Sequence, residues 1–229
     1  MIRSRISSIV RRGGRLLGIG LSSRHQNDYA THVPVLVGVA AATRIERILE
    51  FGSGMYSTLT FLNRLAFPDV LRVDSVESDP EWMSKISAAA KGDSRLRMRL
   101  VQEPIERVLS DIQLDNYDLV LVDSSTEATR RASLIHELAK RHDFTALVAV
   151  HDFEIGLYQA AAKGFQNIVE CSAYNPCTGI LWQTGPWPVT ALKQLSKVIY
   201  RHSKRLQPDD VQAWAAAFRE GGRFRADVN

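Results

Sequence analysis

Residues 48–62 read Ile-Leu-Glu-Phe-Gly-Ser-Gly-Met-Tyr-Ser-Thr-Leu-Thr-Phe-Leu. A short apolar run closes on a carboxylate, Glu50. Gly52 and Gly54 follow, then Ser57, which can open a helix, and an apolar pattern at helical spacing. This predicts a strand, a tight glycine turn and a helix in direct succession. Such a turn brings bare backbone close to a ligand and aims helix N–H groups at it. The carboxylate favours a cationic group on that ligand over a pyrophosphate. A dinucleotide site would want a third glycine at position 57, where Ser57 stands.

The same alternation continues along the chain. Strands are expected at 44–50, 70–76, 95–101, 117–122 and 144–150. Helices are expected between them at 57–65, near 80–90, 104–111 and 127–141. Asp79 before Pro80 is a cap followed by a proline at the first helical position. After a helix at 155–163, two strands at 165–171 and 178–184 flank a Ser-Ala-Tyr-Asn-Pro loop and read as a hairpin. Strands separated by helices imply right-handed crossovers and a doubly wound α/β fold. The expected sheet has seven strands, parallel except for an antiparallel seventh strand.

Three regions are expected. A basic arm covers 1–30, an α/β ligand-binding domain 31–187, and a helical extension 188–229. The arm carries Arg3, Arg5, Arg11, Arg12, Arg15 and Arg24 and no acid before Gln26. Its interleaved isoleucines and leucines suit weak contact with a membrane surface. No apolar run reaches the length of a spanning helix. The net charge of +4 is modest. Only two cysteines occur, Cys171 and Cys177, which fits a reducing compartment and a cytoplasmic location.

In a doubly wound sheet, ligands bind at the carboxyl ends of the strands. The acids expected there are Glu50, Glu77, Asp123 and Asp152, with Gln102, Glu103 and Glu154 close by and His151 beside Asp152. Glu77, at the end of the second strand, is placed to accept both hydroxyls of a ribose. His151 is a candidate base for deprotonating an acceptor. His32 and His136 read as structural.

The ordered set of Glu50-Phe-Gly-Ser-Gly, Glu77, Asp123 and the closing hairpin resembles the class I S-adenosylmethionine-dependent methyltransferases across residues 44–184. The resemblance implies a Rossmann-like methyltransferase fold with S-adenosylmethionine as cofactor. It implies Glu50, Gly52, Gly54, Ser57, Glu77 and Asp123 as cofactor-binding residues. Asp123, His151 and Asp152 become the catalytic candidates, acting on an oxygen of a small molecule or glycan. The catechol O-methyltransferase-like branch adds magnesium, held by an Asp after strand four and an Asp-Asn pair after strand five. Asp123 and Asp152 resemble these, but Phe153 replaces the Asn, and no residue is assigned here as a metal ligand. Two further readings remain: a non-catalytic nucleoside-binding module, and an RNA methyltransferase suggested by the basic ends. Against the latter, no nucleic-acid-binding module is evident.

Overall fold

A computed structural model describes residues 27–220, apart from 103–104, 125–126 and 143. The basic arm over 1–26 and Glu103 therefore lie outside the described residues.

Seven strands form one sheet: β1 (Arg47–Phe51), β2 (Arg72–Glu77), β3 (Leu96–Leu100), β4 (Leu119–Val122), β5 (Leu147–His151), β6 (Asn167–Cys171) and β7 (Thr178–Trp182). Their order is β3-β2-β1-β4-β5-β7-β6. The pairs from β3 through β5 are parallel, whereas β7 runs antiparallel to both β5 and β6. The doubly wound expectation and its antiparallel closing strand both hold. Helices α1 (Val33–Ala42), α2 (Thr58–Leu62), α3 (Pro80–Ala89), α4 (Ile105–Ser110), α5 (Ala128–Ala139), α6 (Gly156–Ala161), α7 (Val189–Ser203) and α8 (Val211–Glu220) complete the chain.

Strand β4 is apolar at every position, and β5 at all but its last, because both faces are covered. Leu119, Leu121, Leu147, Ala149 and Ile180 join a core with α1, α7 and α8. Their neighbours Val120, Val122, Val148, Val150 and Leu181 join a second core with α5 and α6. Alternation of side chains along a strand thus divides one apolar run between two layers. Helix α1 is buried at nine of its ten positions, between the sheet and the two C-terminal helices. Among the described residues, no helix is long and apolar enough to cross a membrane.

Several boundaries moved for identifiable reasons. Strand β1 begins at Arg47 rather than at 44, because the Asp118 carboxylate takes the N–H groups of Glu46 and Arg47 (2.8 and 2.9 Å). Helix α8 begins at Val211, where the Asp210 carboxylate accepts the Ala213 N–H (3.0 Å). Strand β5 extends one residue further than expected, to His151. Asp152 then turns into the left-handed region, with φ of 57°.

Candidate functional site

The order β2-β1-β4 puts the ends of these three strands side by side. Between β1 and β4 the winding of the sheet reverses direction, which is where an open α/β sheet forms its ligand crevice. The glycine turn follows β1 there. Gly52 has φ of 91°, and a Cβ on it would sit 2.4 Å from the Asp123 carbonyl oxygen. Only a glycine lets the turn lie against the end of β4. A Cβ on Gly54 would meet Ser57 Oγ at 2.6 Å, so this second glycine leaves room for the buried Ser57 at the start of α2.

Glu50 is fully buried beneath the turn. Its Oε2 accepts from Ser75 Oγ (2.6 Å) and Thr58 Oγ1 (2.7 Å). Thr58 Oγ1 in turn accepts the Gly54 N–H (3.0 Å). The carboxylate therefore shapes the glycine turn through Thr58. Among the described residues its Oε1 has no hydrogen-bond partner, an uncommon state for a buried carboxylate oxygen. Burial pushes the Glu50 carboxyl up to about 7, opposed by the Ser57, Ser75 and Thr58 hydroxyls, with the Asp123 charge adding to the rise.

This has a consequence for stability. Between pH 4.5 and 7 the folded chain holds a proton on Glu50 that the unfolded chain has lost. Stability therefore falls as pH rises through that window, by roughly 3 kcal/mol at most, and levels off above it. Glu50→Gln removes this slope. Urea unfolding should find the variant more stable than the parent at pH 8, by about 2 kcal/mol, and no more stable at pH 4.5. Equal pH profiles for the two proteins would contradict the buried charge.

Glu77, at the end of β2, is 8% exposed. Oε2 accepts from the Ser53 N–H (3.0 Å) and Ser53 Oγ (2.7 Å). Oε1 accepts the N–H groups of Ser78 (2.7 Å) and Asp79 (3.0 Å). The glycine turn and the β2 end are thereby joined through one carboxylate. Trp82 Nε1 donates to the Ser53 carbonyl (2.7 Å), so Trp82 braces the same turn.

Asp123, His151 and Asp152 form a single cluster. Alternation alone would have turned His151 and Asp152 to opposite faces, but the strand ends between them. The left-handed turn at Asp152 brings its Oδ1 to 3.8 Å from His151 Nδ1. His151 Nδ1 lies 3.3 Å from Asp123 Oδ1, and its Nε2 lies 2.9 Å from Thr31 Oγ1. His151 is buried, with both ring nitrogens engaged. Asp123 and Asp152 are the members that reach solvent, with side chains 22% and 27% exposed.

Arg131 of α5 holds the two carboxylates. Its Nη1 is 2.6 Å from Asp152 Oδ2, and its Nη2 is 3.1 Å from Asp123 Oδ1. Its Nε donates to the Ser124 carbonyl (2.8 Å). Burial alone would raise Asp123. The hydrogen bond and charge of His151, followed by His32 and Arg131, outweigh burial and hold it below the usual carboxylate range. Burial likewise disfavours the charged form of His151, but the bond and charge of Asp123, with Asp152 behind, hold it above the usual histidine value.

The guanidinium occupies the place of a cation between Asp123 and Asp152, so this pair does not fit a magnesium site. Phe153 points away from the cleft into the core, against Gly179, where a Cβ would come within 2.6 Å of its ring. Glu154 is taken by the Cys177 N–H (2.8 Å).

Sequence reasoning missed Arg131, Thr31 and His32. Arg131 sits beside Arg130 on a helix, and nothing in the pattern separates the buried one from the exposed one. His32 was read as structural, yet its Nδ1 is 4.0 Å from Asp123 Oδ2. Asn27, the first of the described residues, donates to Tyr56 Oη (2.6 Å). The segment 27–32 thus enters the fold across the ends of β1 and β5.

No family model and no curated protein sequence matches the chain. Solved structures do. A spermidine synthase in complex with the transition-state analogue AdoDATO has a TM-score of 0.54 at 14% identity, over 83% of this chain and 72% of that one. Spermidine synthase from Thermotoga maritima gives 0.53 at 15% identity with the same coverage. The SAH-bound methyltransferase PaMTH1 from Podospora anserina gives 0.51 at 14% identity, over 66% of this chain and 77% of that one. The chain has the Rossmann-like fold of the class I methyltransferases. That fold is shared with spermidine synthase, so it does not by itself decide which group is moved.

Proposed function

We infer that the protein binds S-adenosylmethionine and transfers its methyl group to an oxygen of a small molecule or glycan. The observation that carries this reading is the convergence of the glycine turn, Glu77 and Asp123 at the adjacent ends of β1, β2 and β4. Gly52 and Gly54 keep the turn free of side chains where a ligand's backbone contacts would form. Ser57 and Glu50 hold the turn's shape from below, and the Glu50 charge favours a cation above it. Glu77 takes the ribose, exchanging its bonds to the Ser53 and Ser78 hydroxyls for bonds to the sugar. The bound cofactor supplies an electrophilic methyl on a sulfonium.

Asp123 is the cleft-facing carboxylate on the acceptor side. Held below the usual carboxylate range, it orients an acceptor hydroxyl by accepting its hydrogen bond. Asp152 lies beside it, and His151 is the proton reservoir behind both. In this arrangement rate comes mainly from holding donor and acceptor in line, worth several kcal/mol without a strong base.

The test has two stages. Titration calorimetry should detect binding of S-adenosylmethionine, and S-adenosylhomocysteine should accumulate when a pool of hydroxylated acceptors is added. Absence of binding overturns the assignment. Binding with no product from any acceptor would support a nucleoside-binding module instead.

A further inference from the structure

The cluster under the cleft has a member that the methyltransferase reading does not use. Asp123 and Asp152 bring two negative charges, met by Arg131 and by the proton that His151 shares with Asp123. Arg131 serves Oδ1 of Asp123, so Oδ2 is left facing His32 at 4.0 Å. His32 is 2% exposed, and among the described residues neither ring nitrogen has a hydrogen-bond partner. A buried imidazole normally satisfies at least one nitrogen. The rings of His32 and His151 meet edge-on with centroids 4.7 Å apart. One ligand atom from each of His32, Asp123 and His151 lies within 4.8 Å of the other two.

We propose that His32, Asp123 and His151 bind a divalent transition-metal ion of the zinc class. Two imidazoles and one carboxylate suit zinc, iron(II) or cobalt(II), whereas magnesium prefers oxygen ligands. Ligand atoms around a four-coordinate zinc stand about 3.3 Å apart. The His151 Nδ1 to Asp123 Oδ1 distance is 3.3 Å and the His32 Nδ1 to Asp123 Oδ2 distance is 4.0 Å, so the carboxylate presents one oxygen toward each imidazole. The far side of His151 is prepared for this role. Thr31 Oγ1 is within 3.2 Å of the Asp28 carbonyl, to which it gives its own proton. Its oxygen is therefore free to accept the His151 Nε2–H at 2.9 Å, which leaves the Nδ1 lone pair toward Asp123. A hydrogen bond of this kind on the outer nitrogen is what orients a metal-bound histidine. The ion takes the place of the proton otherwise shared between His151 and Asp123.

The experiment uses the full chain with no methyl donor present, so its failure leaves the methyltransferase reading intact. Chelator-dialysed protein is titrated with zinc chloride in competition with a chromophoric chelator, and separately with cobalt(II). One tight equivalent is expected, with the intense visible bands of a cobalt ion in a low-symmetry nitrogen site. His32→Ala and His151→Ala should each weaken it by at least about 100-fold, and Thr31→Val by about 10-fold. His202→Ala, remote in the helical part, should leave it unchanged. Circular dichroism checks each variant. Should a histidine variant fail to fold, Thr31→Val and the wild-type cobalt spectrum decide. No tight equivalent, a spectrum of hexa-aquo type, or an equivalent insensitive to these residues overturns the site.

Discussion

Arg131→Met should lower the unfolding free energy at pH 7 by about 3 kcal/mol, the low end for breaking a buried ion pair by removing one partner. The low end applies because both carboxylates retain some water, at 22% and 27% exposure. The loss arises less from the missing attraction than from two acids left facing each other across the gap. The pH dependence separates these causes. Asp123 is held below its unfolded value, so its contribution is present above about pH 4 and is lost as pH falls through the lower folded value. In the variant that contribution shrinks, because Arg131 is one of the charges that lower Asp123. The two proteins should therefore differ most at pH 7 and converge toward pH 3. Urea titrations at pH 7 and pH 4 measure this. Adding Asp152→Asn to the variant should recover part of the loss, since it removes one of the unpaired charges. A variant within 1 kcal/mol of the parent at both pH values would mean that Arg131 does not hold the cluster together.

The contrast between Arg131 and Glu50 marks what the sequence could carry. The sheet was legible because strand-length runs bounded by turn or cap residues alternate with helical ones, and runs as apolar as Leu119–Val122 bury both faces only inside a covered sheet. That the candidate residues lie on strand ends was legible too, since topology alone delivers the ends of β1, β2 and β4 to one crevice. Contacts between elements distant in sequence were not. Ser75 and Thr58 read as ordinary polar residues until the fold places their hydroxyls on Glu50. The relation of His151 to Asp152 depended on a single backbone torsion. Had β5 continued, the two would face opposite sides of the sheet, and it is the left-handed turn at Asp152 that joins them. His32 precedes a helix so apolar that a structural role was the natural reading. Its nearness to Asp123 comes from packing α1 against the sheet, which no local pattern encodes.

The second large effect falls on the methyl donor. Glu77→Ala should weaken S-adenosylmethionine binding by about 100-fold or more, as expected from losing two charge-assisted hydrogen bonds of about 1.5 kcal/mol each. Part of that loss is indirect. The carboxylate also ties Ser53 to Ser78 and Asp79, so removing it loosens the glycine turn as well as the ribose seat. Glu77→Gln separates the two contributions. It keeps a carbonyl oxygen to accept the Ser53 N–H, but removes the charge and replaces the second oxygen with an NH2 that cannot accept a ribose hydroxyl. Adenosine supplies the remaining control, because it carries the ribose without the sulfonium or the ammonium. If Glu77 works through the ribose, adenosine should lose the same factor as the full cofactor in Glu77→Ala. If it works mainly by supplying negative charge to a cationic donor, adenosine should lose much less. Calorimetry with both ligands on the parent and the two variants distinguishes these cases. Undiminished affinity for both ligands in Glu77→Ala would place the ribose elsewhere and remove the strand-two acid from the site.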